Sequence, residues 1–158
     1  MSDKLKRIAT HAYYSFWDGI KLFPPATLSN IEAALKMGTA IHGAKVHFVV
    51  ESSLAGISLF SGQSARERAL DIFTHLHLWD TEERNGVLIY VLLADKAIEF
   101  IADRGLQYVV TSEEWSAICR AMEGAFREHH FENGAINSIH AVNNLLIHHF
   151  RPHAGITI

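Results

Sequence analysis

A run of apolar residues near the middle of the chain constrains the fold more than any other feature. Residues 86–93, GVLIYVLL, are apolar at nearly every position, which is typical of a strand buried on both faces of a sheet. A short turn at residues 94–97 separates this run from a second apolar segment, residues 98–102. The pattern predicts a hairpin in which a central strand, residues 87–93, pairs with an antiparallel neighbour.

A second strand is predicted upstream of the hairpin. Residues 46–51, VHFVVE, are rich in β-branched and aromatic side chains, as strands commonly are. Between this strand and the hairpin, Ser64 and Glu67 have the spacing of a capping box and predict a helix over residues 65–77. Because strand, helix and strand follow one another, the two strands should be parallel and their connection right-handed.

The other segments add helices on both faces of this sheet. Apolar spacing indicates helices at residues 3–20, at 28–41, from Thr111 or Ser112 onward, and at 135–149 after a break at Asn133-Gly134. The Ser- and Gly-rich residues 52–62 predict a loop. The expected fold is an α/β/α sandwich with a mixed sheet of three or four strands. Its organisation is an N-terminal amphipathic helix and linker (1–25), one globular domain (26–150) and a C-terminal tail (151–158).

Composition excludes several classes of function. Hydrophobic residues make up 49% of the 158 residues and charged residues 20%, which fits one domain with an ordinary core. The net charge of −3 gives no attraction to nucleic acid. No run approaches the length of a membrane span, and the N-terminus lacks the pattern of a signal peptide, so we expect a cytoplasmic protein. The single cysteine, Cys119, excludes an internal disulfide and is expected to be a buried, inert thiol.

Carboxylates and an amide flank the hairpin. Asp80, Glu83 and Asn85 precede the first strand, and Asp103 follows the second. Since both segments lie at the same end of a hairpin, their oxygens could converge on a hard cation such as Ca²⁺ or Mg²⁺. The alternative is a solvated loop in which Asn85 serves only the turn. Glu51 ends a strand parallel to the first and should lie at the opposite end.

Three other features leave alternatives open. The basic amphipathic helix at residues 3–20 could contact a membrane surface or a protein partner, or could simply cover the core. Histidines at 129–130, 148–149 and 153 could bind a transition metal, although their spacing matches no zinc signature and helix ends favour histidine anyway. Arg66 and Arg68 are expected to form a solvated helix face.

Several short motifs in the sequence resemble those of a known protein family. LWDTE at 78–82, NGVLIY at 85–90, ADRG at 102–105 and FENG at 131–134 resemble the TPM-domain family. That family includes thylakoid-lumen acid phosphatase-like and photosystem-repair proteins, and this chain looks like its soluble bacterial branch. The resemblance covers about residues 26–150.

The resemblance implies a fold and a site. It implies the same α/β/α sandwich, a divalent-cation site at Asp80 and Asp103, with Glu83 or Asn85 as further ligands, and for some relatives a weak acid phosphatase activity. Arg84 stands where relatives often have asparagine and would place a cation beside these ligands. The sequence therefore favours a cation-binding domain with at most weak phosphatase activity, and a non-enzymatic interaction module is the alternative.

Overall fold

The computed structural model describes residues 2–14 and 16–150, for residues 16 and 17 the backbone alone. Within these ranges three strands form one mixed sheet, in the order β1 (Val46–Glu51), β2 (Val87–Leu92) and β3 (Ala97–Ala102). β1 runs parallel to β2, and β3 runs antiparallel to it. The predicted hairpin and the predicted parallel pair are both confirmed.

Eight helices are found in the same ranges. They are α1 (Asp3–Tyr13), α2 (Phe16–Leu22), α3 (Pro25–His42), α4 (Gly56–Phe60), α5 (Ala65–His75), α6 (Arg104–Gln107), α7 (Ser112–Arg127) and α8 (Phe131–Phe150). None of those helices is long and apolar enough to cross a membrane.

The alternating side chains of β2 build two cores, one on each face of the sheet. Val87, Ile89 and Val91 join a cluster with buried residues of α3, α7 and α8. Leu88, Tyr90 and Leu92 point the other way and join a cluster with the buried face of α5. Because every residue of β2 is buried, the strand has no polar side, as its unbroken apolar sequence predicts. The α/β/α sandwich is confirmed.

The capping signals locate two helix starts correctly. The Ser64 side chain accepts the N–H of Glu67, and the Glu67 carboxylate accepts the N–H of Ser64. Thr111 and Glu114 form the same reciprocal pair at the start of α7. Each box satisfies backbone donors that the first turn of a helix leaves free.

Several predicted boundaries are wrong. The helix expected at 3–20 is interrupted at Tyr14, whose backbone is extended, and the loop expected at 52–62 contains α4. The break expected at Asn133-Gly134 lies inside α8 instead. A Cβ at Gly134 would lie 2.9 Å from the Cβ of Ala125 and 3.0 Å from Phe126, so this glycine lets α8 pack closely on α7. The predicted tail at 151–158 lies outside the described residues.

Candidate functional site

The hairpin brings the predicted site segments to one end of the sheet. Val87, the first residue of β2, is paired with Ala102, the last residue of β3. The next residue, Asp103, donates its N–H to the carbonyl of Gly86 at 2.9 Å. Glu51 is paired with Leu92 and therefore lies at the opposite end, as expected. We refer to the region of residues 78–86 and 103–105 as the Asp103 end.

Asp103 is the buried carboxylate of this region. It is 7% exposed and caps the short helix α6, where its Oδ1 accepts the N–H of Arg104 at 2.7 Å. Its other oxygen, Oδ2, is buried and has no hydrogen-bond partner among the described residues. A buried polar atom without a partner normally costs about 1–3 kcal/mol. Oδ2 is therefore an acceptor whose capacity for a hydrogen bond or a cation is not used by the described residues.

Two glycines hold the loop at residues 78–86 against Asp103 by close backbone contact. Gly105 donates its N–H to the carbonyl of Arg84 at 2.8 Å, and a Cβ on Gly105 would overlap the carbonyl oxygens of Glu83 and Arg84. A Cβ on Gly86 would overlap the carbonyl oxygen of Leu78. Because only glycine fits such approaches, Gly105 allows the close contact between the loop and α6, and Gly86 allows the two ends of the loop to approach each other.

The other predicted ligands divide into a buried amide and two exposed carboxylates. Asn85 is 3% exposed, and its backbone N–H donates to Thr81 Oγ1 at 3.1 Å. Asp80 and Glu83 are exposed, and the Lys45 ammonium donates to the carbonyl of Asp80 at 3.2 Å. Within residues 2–14 and 16–150, no three His, Cys, Asp or Glu side chains lie close enough together to hold a metal ion. The cation site at these four residues thus stays a prediction.

Arg84 adopts a strained backbone conformation in the middle of this loop. Its φ is 49°, in the left-handed region, which is costly for a residue with a long side chain and which asparagine tolerates better. The side chain is exposed. Arg84 therefore brings a positive charge into the loop that also carries Asp80 and Glu83.

The carboxylates at the ends of β1 and within β3 are already paired. Glu51 accepts hydrogen bonds from Arg68 at 2.8 and 3.1 Å and from the Tyr90 hydroxyl at 2.8 Å. Burial, together with the neighbouring Glu51, raises the pKa of Tyr90 above its usual value. Glu99 pairs with Arg66 at 3.1 Å. Arg66 lies on a solvated helix face as expected, with its side chain 59% exposed. Both it and the less exposed Arg68 also tie α5 to the sheet through these ion pairs.

The role of Asp95, in the turn between β2 and β3, is not predicted by any pattern in the sequence. Arg7 donates to its carboxylate through Nη2 at 2.8 Å and Nε at 3.2 Å, and His11 Nε2 lies 2.6 Å from Oδ1. Since His11 Nδ1 accepts the N–H of Leu54 at 2.8 Å, Nε2 carries the ring proton and donates to Asp95. Burial alone would raise the pKa of Asp95, but the hydrogen bonds from Arg7 and His11 outweigh it and lower that pKa.

These contacts dock α1 on the turn of the hairpin. The side chain of His11 is fully buried and that of Arg7 is 25% exposed, whereas Leu5 and Tyr13 are exposed. The helix is therefore built into the domain through Arg7 and His11, and its Ile8 packs against the core on the α5 side of the sheet. A membrane or partner contact through residues 3–20 stays a prediction. Cys119 is half-buried and not fully buried as expected, and burial raises the pKa of its thiol to about 11, which disfavours the reactive thiolate.

Comparison with known proteins bears on the fold and on the family. The sequence matches the TPM domain over residues 17–145. The structure is similar to the NMR structure of BA42 from the psychrophilic bacterium Bizionia argentinensis, with 24% identity and a TM-score of 0.69, over 80% of this chain and 82% of that one.

Two further solved domains share the fold. One is the N-terminal domain of a protein from P. gingivalis, at 18% identity and a TM-score of 0.65, covering 84% of this chain and 83% of that one. The other is the N-terminal domain of cg2496 from Corynebacterium glutamicum, at 14% identity and a TM-score of 0.56, covering 76% and 71%. Among curated proteins, none matches this sequence. At these identities the solved structures bear on the fold alone.

Proposed function

The chain belongs to the TPM domain family, and we propose that its Asp103 end binds a divalent cation, Ca²⁺ or Mg²⁺. The observation that carries this proposal is the buried Oδ2 of Asp103, which has no partner among the described residues. A hard cation prefers carboxylate oxygen and would compensate this atom directly.

The neighbouring residues carry the types of side chain that such an ion prefers. Asp103 supplies a buried carboxylate, and the buried Asn85 carries an amide oxygen at the same end of the sheet. The exposed carboxylates of Asp80 and Glu83 lie on the adjoining loop, where they can approach an ion bound from solvent. Calcium takes six to eight oxygen ligands and accepts water among them, so the protein does not need to provide all of them.

Weak phosphomonoester hydrolysis is the activity that this site would support. A bound ion would polarise a phosphoryl oxygen and lower the pKa of a bound water. Asp103 would anchor the ion, and Asp80 with Glu83 would complete its ligands on the solvent side. Because those two carboxylates are exposed, the chain does not hold them in one geometry, and catalysis needs positions fixed to about 0.5 Å. We therefore expect low activity, strictly dependent on the cation.

A calcium titration followed by NMR of the uniformly ¹⁵N-labelled chain tests the proposal. The amide signals of Asn85, Asp103 and Gly105 should shift in a saturable manner at millimolar or lower calcium. Asp103→Asn should abolish these shifts. Asp71→Asn removes the same charge from the exposed face of α5 and should leave them unchanged.

Two results would overturn the proposal. One is the absence of any saturable shift in the wild-type chain. The other is an unchanged titration in Asp103→Asn, because binding would then depend on exposed carboxylates elsewhere. A magnesium titration run in parallel distinguishes the two ions, since magnesium demands near-octahedral geometry and gives up its water reluctantly.

A further inference from the structure

A cavity of about 640 Å³ lies at the opposite end of the sheet from Asp103. Its floor is formed by Val91, Leu92 and Leu93 at the carboxyl end of β2, together with Ile98 of β3. The volume falls within the range of small-molecule sites. Ligands of open α/β folds commonly bind outside the carboxyl ends of the strands, which is where this cavity opens.

The walls of the cavity are mainly aromatic and aliphatic. Tyr13 and Tyr14 end the first helix on one side, and Phe126 and Phe131 lie on the other. The rings of Phe126 and Phe131 contact each other with centroids 5.0 Å apart. Such walls suit an apolar and preferably flat ligand body, which can stack on or meet the edges of these rings.

Cationic side chains surround the same cavity. Lys21, Lys96 and Arg127 all line it, and none of the three forms an ion pair with any residue in the described ranges. Glu123 and Asp18 line it as well, so the positive groups outnumber the negative ones. Three long side chains ending in hydrogen-bond donors can reach an anionic group at the mouth of the cavity, where charge-assisted bonds are the strong ones.

We propose that this cavity binds a small organic anion with an apolar body, of the class of aromatic carboxylates. The ring system would occupy the space between the tyrosines and the phenylalanines, above the end of β2. The carboxylate would accept hydrogen bonds from Lys96 and Arg127, with Lys21 at the edge. This site is separate from the Asp103 end and does not depend on the cation.

Titration of the full chain with 2-naphthoate, followed by ¹⁵N NMR, tests this site. The amide signals of Leu92, Leu93, Lys96 and Phe126 should shift in a saturable manner, while those around Asp103 stay in place. 2-Naphthalenemethanol has the same ring system without the charge. It offers no carboxylate to Lys96 or Arg127 and should bind at least about tenfold more weakly.

Variants separate charge recognition from simple adhesion to an apolar surface. Lys96→Met and Arg127→Met should each weaken naphthoate binding by a similar factor and leave the circular dichroism spectrum unchanged. Lys36→Met removes an exposed lysine of α3 that pairs with Glu32 and should have no effect. The proposal is overturned if naphthoate gives no saturable shifts at these residues, or if the alcohol and both variants bind as tightly as the wild-type chain binds naphthoate.

Discussion

Two aspartates at opposite ends of the same hairpin differ in how their oxygens are used. Asp95, in the turn between β2 and β3, has both oxygens hydrogen-bonded by Arg7 and one of them also by His11. Asp103, directly after β3, has one oxygen on the N–H of Arg104 and a second, buried oxygen with no partner among the described residues. A fully paired carboxylate stabilises the fold, whereas a buried and half-paired one has capacity left for a ligand.

The largest loss of stability is expected from a substitution at the close backbone contacts of the Asp103 end. Gly86→Ala would place a Cβ on the carbonyl oxygen of Leu78, and because backbone cannot yield as a side chain can, we expect a loss of about 3 kcal/mol of unfolding free energy. Urea denaturation measures it. Gly124→Ala is the matched control, since its new Cβ meets only Arg127 Nη2 at 3.9 Å and should stabilise α7 by up to about 1 kcal/mol. Equal losses in both variants would contradict this account.

The next largest effect on stability is expected when each of the two aspartates is replaced by asparagine, and the two variants should differ. Asp95→Asn leaves the Arg7 guanidinium without its charge partner near the buried His11, and we expect a loss of about 2 kcal/mol. Asp103→Asn retains the capping oxygen that accepts the N–H of Arg104, and asparagine caps helices about as well as aspartate, so the change should stay within about 0.5 kcal/mol. Thermal or urea unfolding without divalent cations compares them. A larger loss for Asp103→Asn would reverse the assignment of roles.

The pH dependence of stability independently tests whether the charge of Asp95 stabilises the fold. Its pKa is lower in the folded protein than in the unfolded chain, so the folded state favours the ionised form. Its contribution is therefore present above the unfolded pKa of about 3.9 and is lost as pH falls through the folded value. The difference in unfolding free energy between wild type and Asp95→Asn should shrink steadily below about pH 4. A difference that stays constant in acid would show that packing, and not charge, is what the substitution removes.

The smallest effect on stability is expected at two residues whose backbone is in the left-handed region, Arg84 in the loop at the Asp103 end and Lys96 next to Asp95. Arg84→Asn and Lys96→Asn relieve positive φ angles of 49° and 51°, and each should stabilise the fold by about 0.5–1 kcal/mol. Only Arg84→Asn removes a cation from the Asp103 end, so it alone should tighten calcium binding in a calorimetric titration. Equal calcium affinity in both variants would mean that Arg84 does not face the ion.

The sequence predicted the elements whose signals are local. The apolar run at 86–93 located β2 and the hairpin, and the Ser64 and Thr111 boxes located two helix starts. The same hairpin placed Asp103 at the correct end, because register follows from the strand pattern. The resemblance to the TPM-domain family is confirmed over most of the chain.

What the sequence could not predict depends on contacts between distant residues. The partners of Asp95 lie 84 and 88 positions away, and no local pattern joins them. Asn133-Gly134 read as a break because the sequence does not reveal that α7 packs closely against Gly134. Asp80 and Glu83 precede the strand that pairs with the one before Asp103, but the strand pattern does not reveal that both are exposed while Asp103 is buried. Exposure of a loop side chain is set by tertiary packing and not by its neighbours in sequence.

The most direct test of the contrast between the two aspartates is the calcium dependence of unfolding free energy in wild type, Asp95→Asn and Asp103→Asn. At free calcium about ten times the dissociation constant of the wild-type chain, binding should add about 1.4 kcal/mol to wild type. Without calcium, Asp95→Asn should have a lower unfolding free energy than wild type, and calcium should raise it by the same increment. Asp103→Asn should have an unfolding free energy near that of wild type without calcium, and calcium should not raise it. A full calcium increment in Asp103→Asn would contradict the account, because the unpaired oxygen of Asp103 would then not be the ligand.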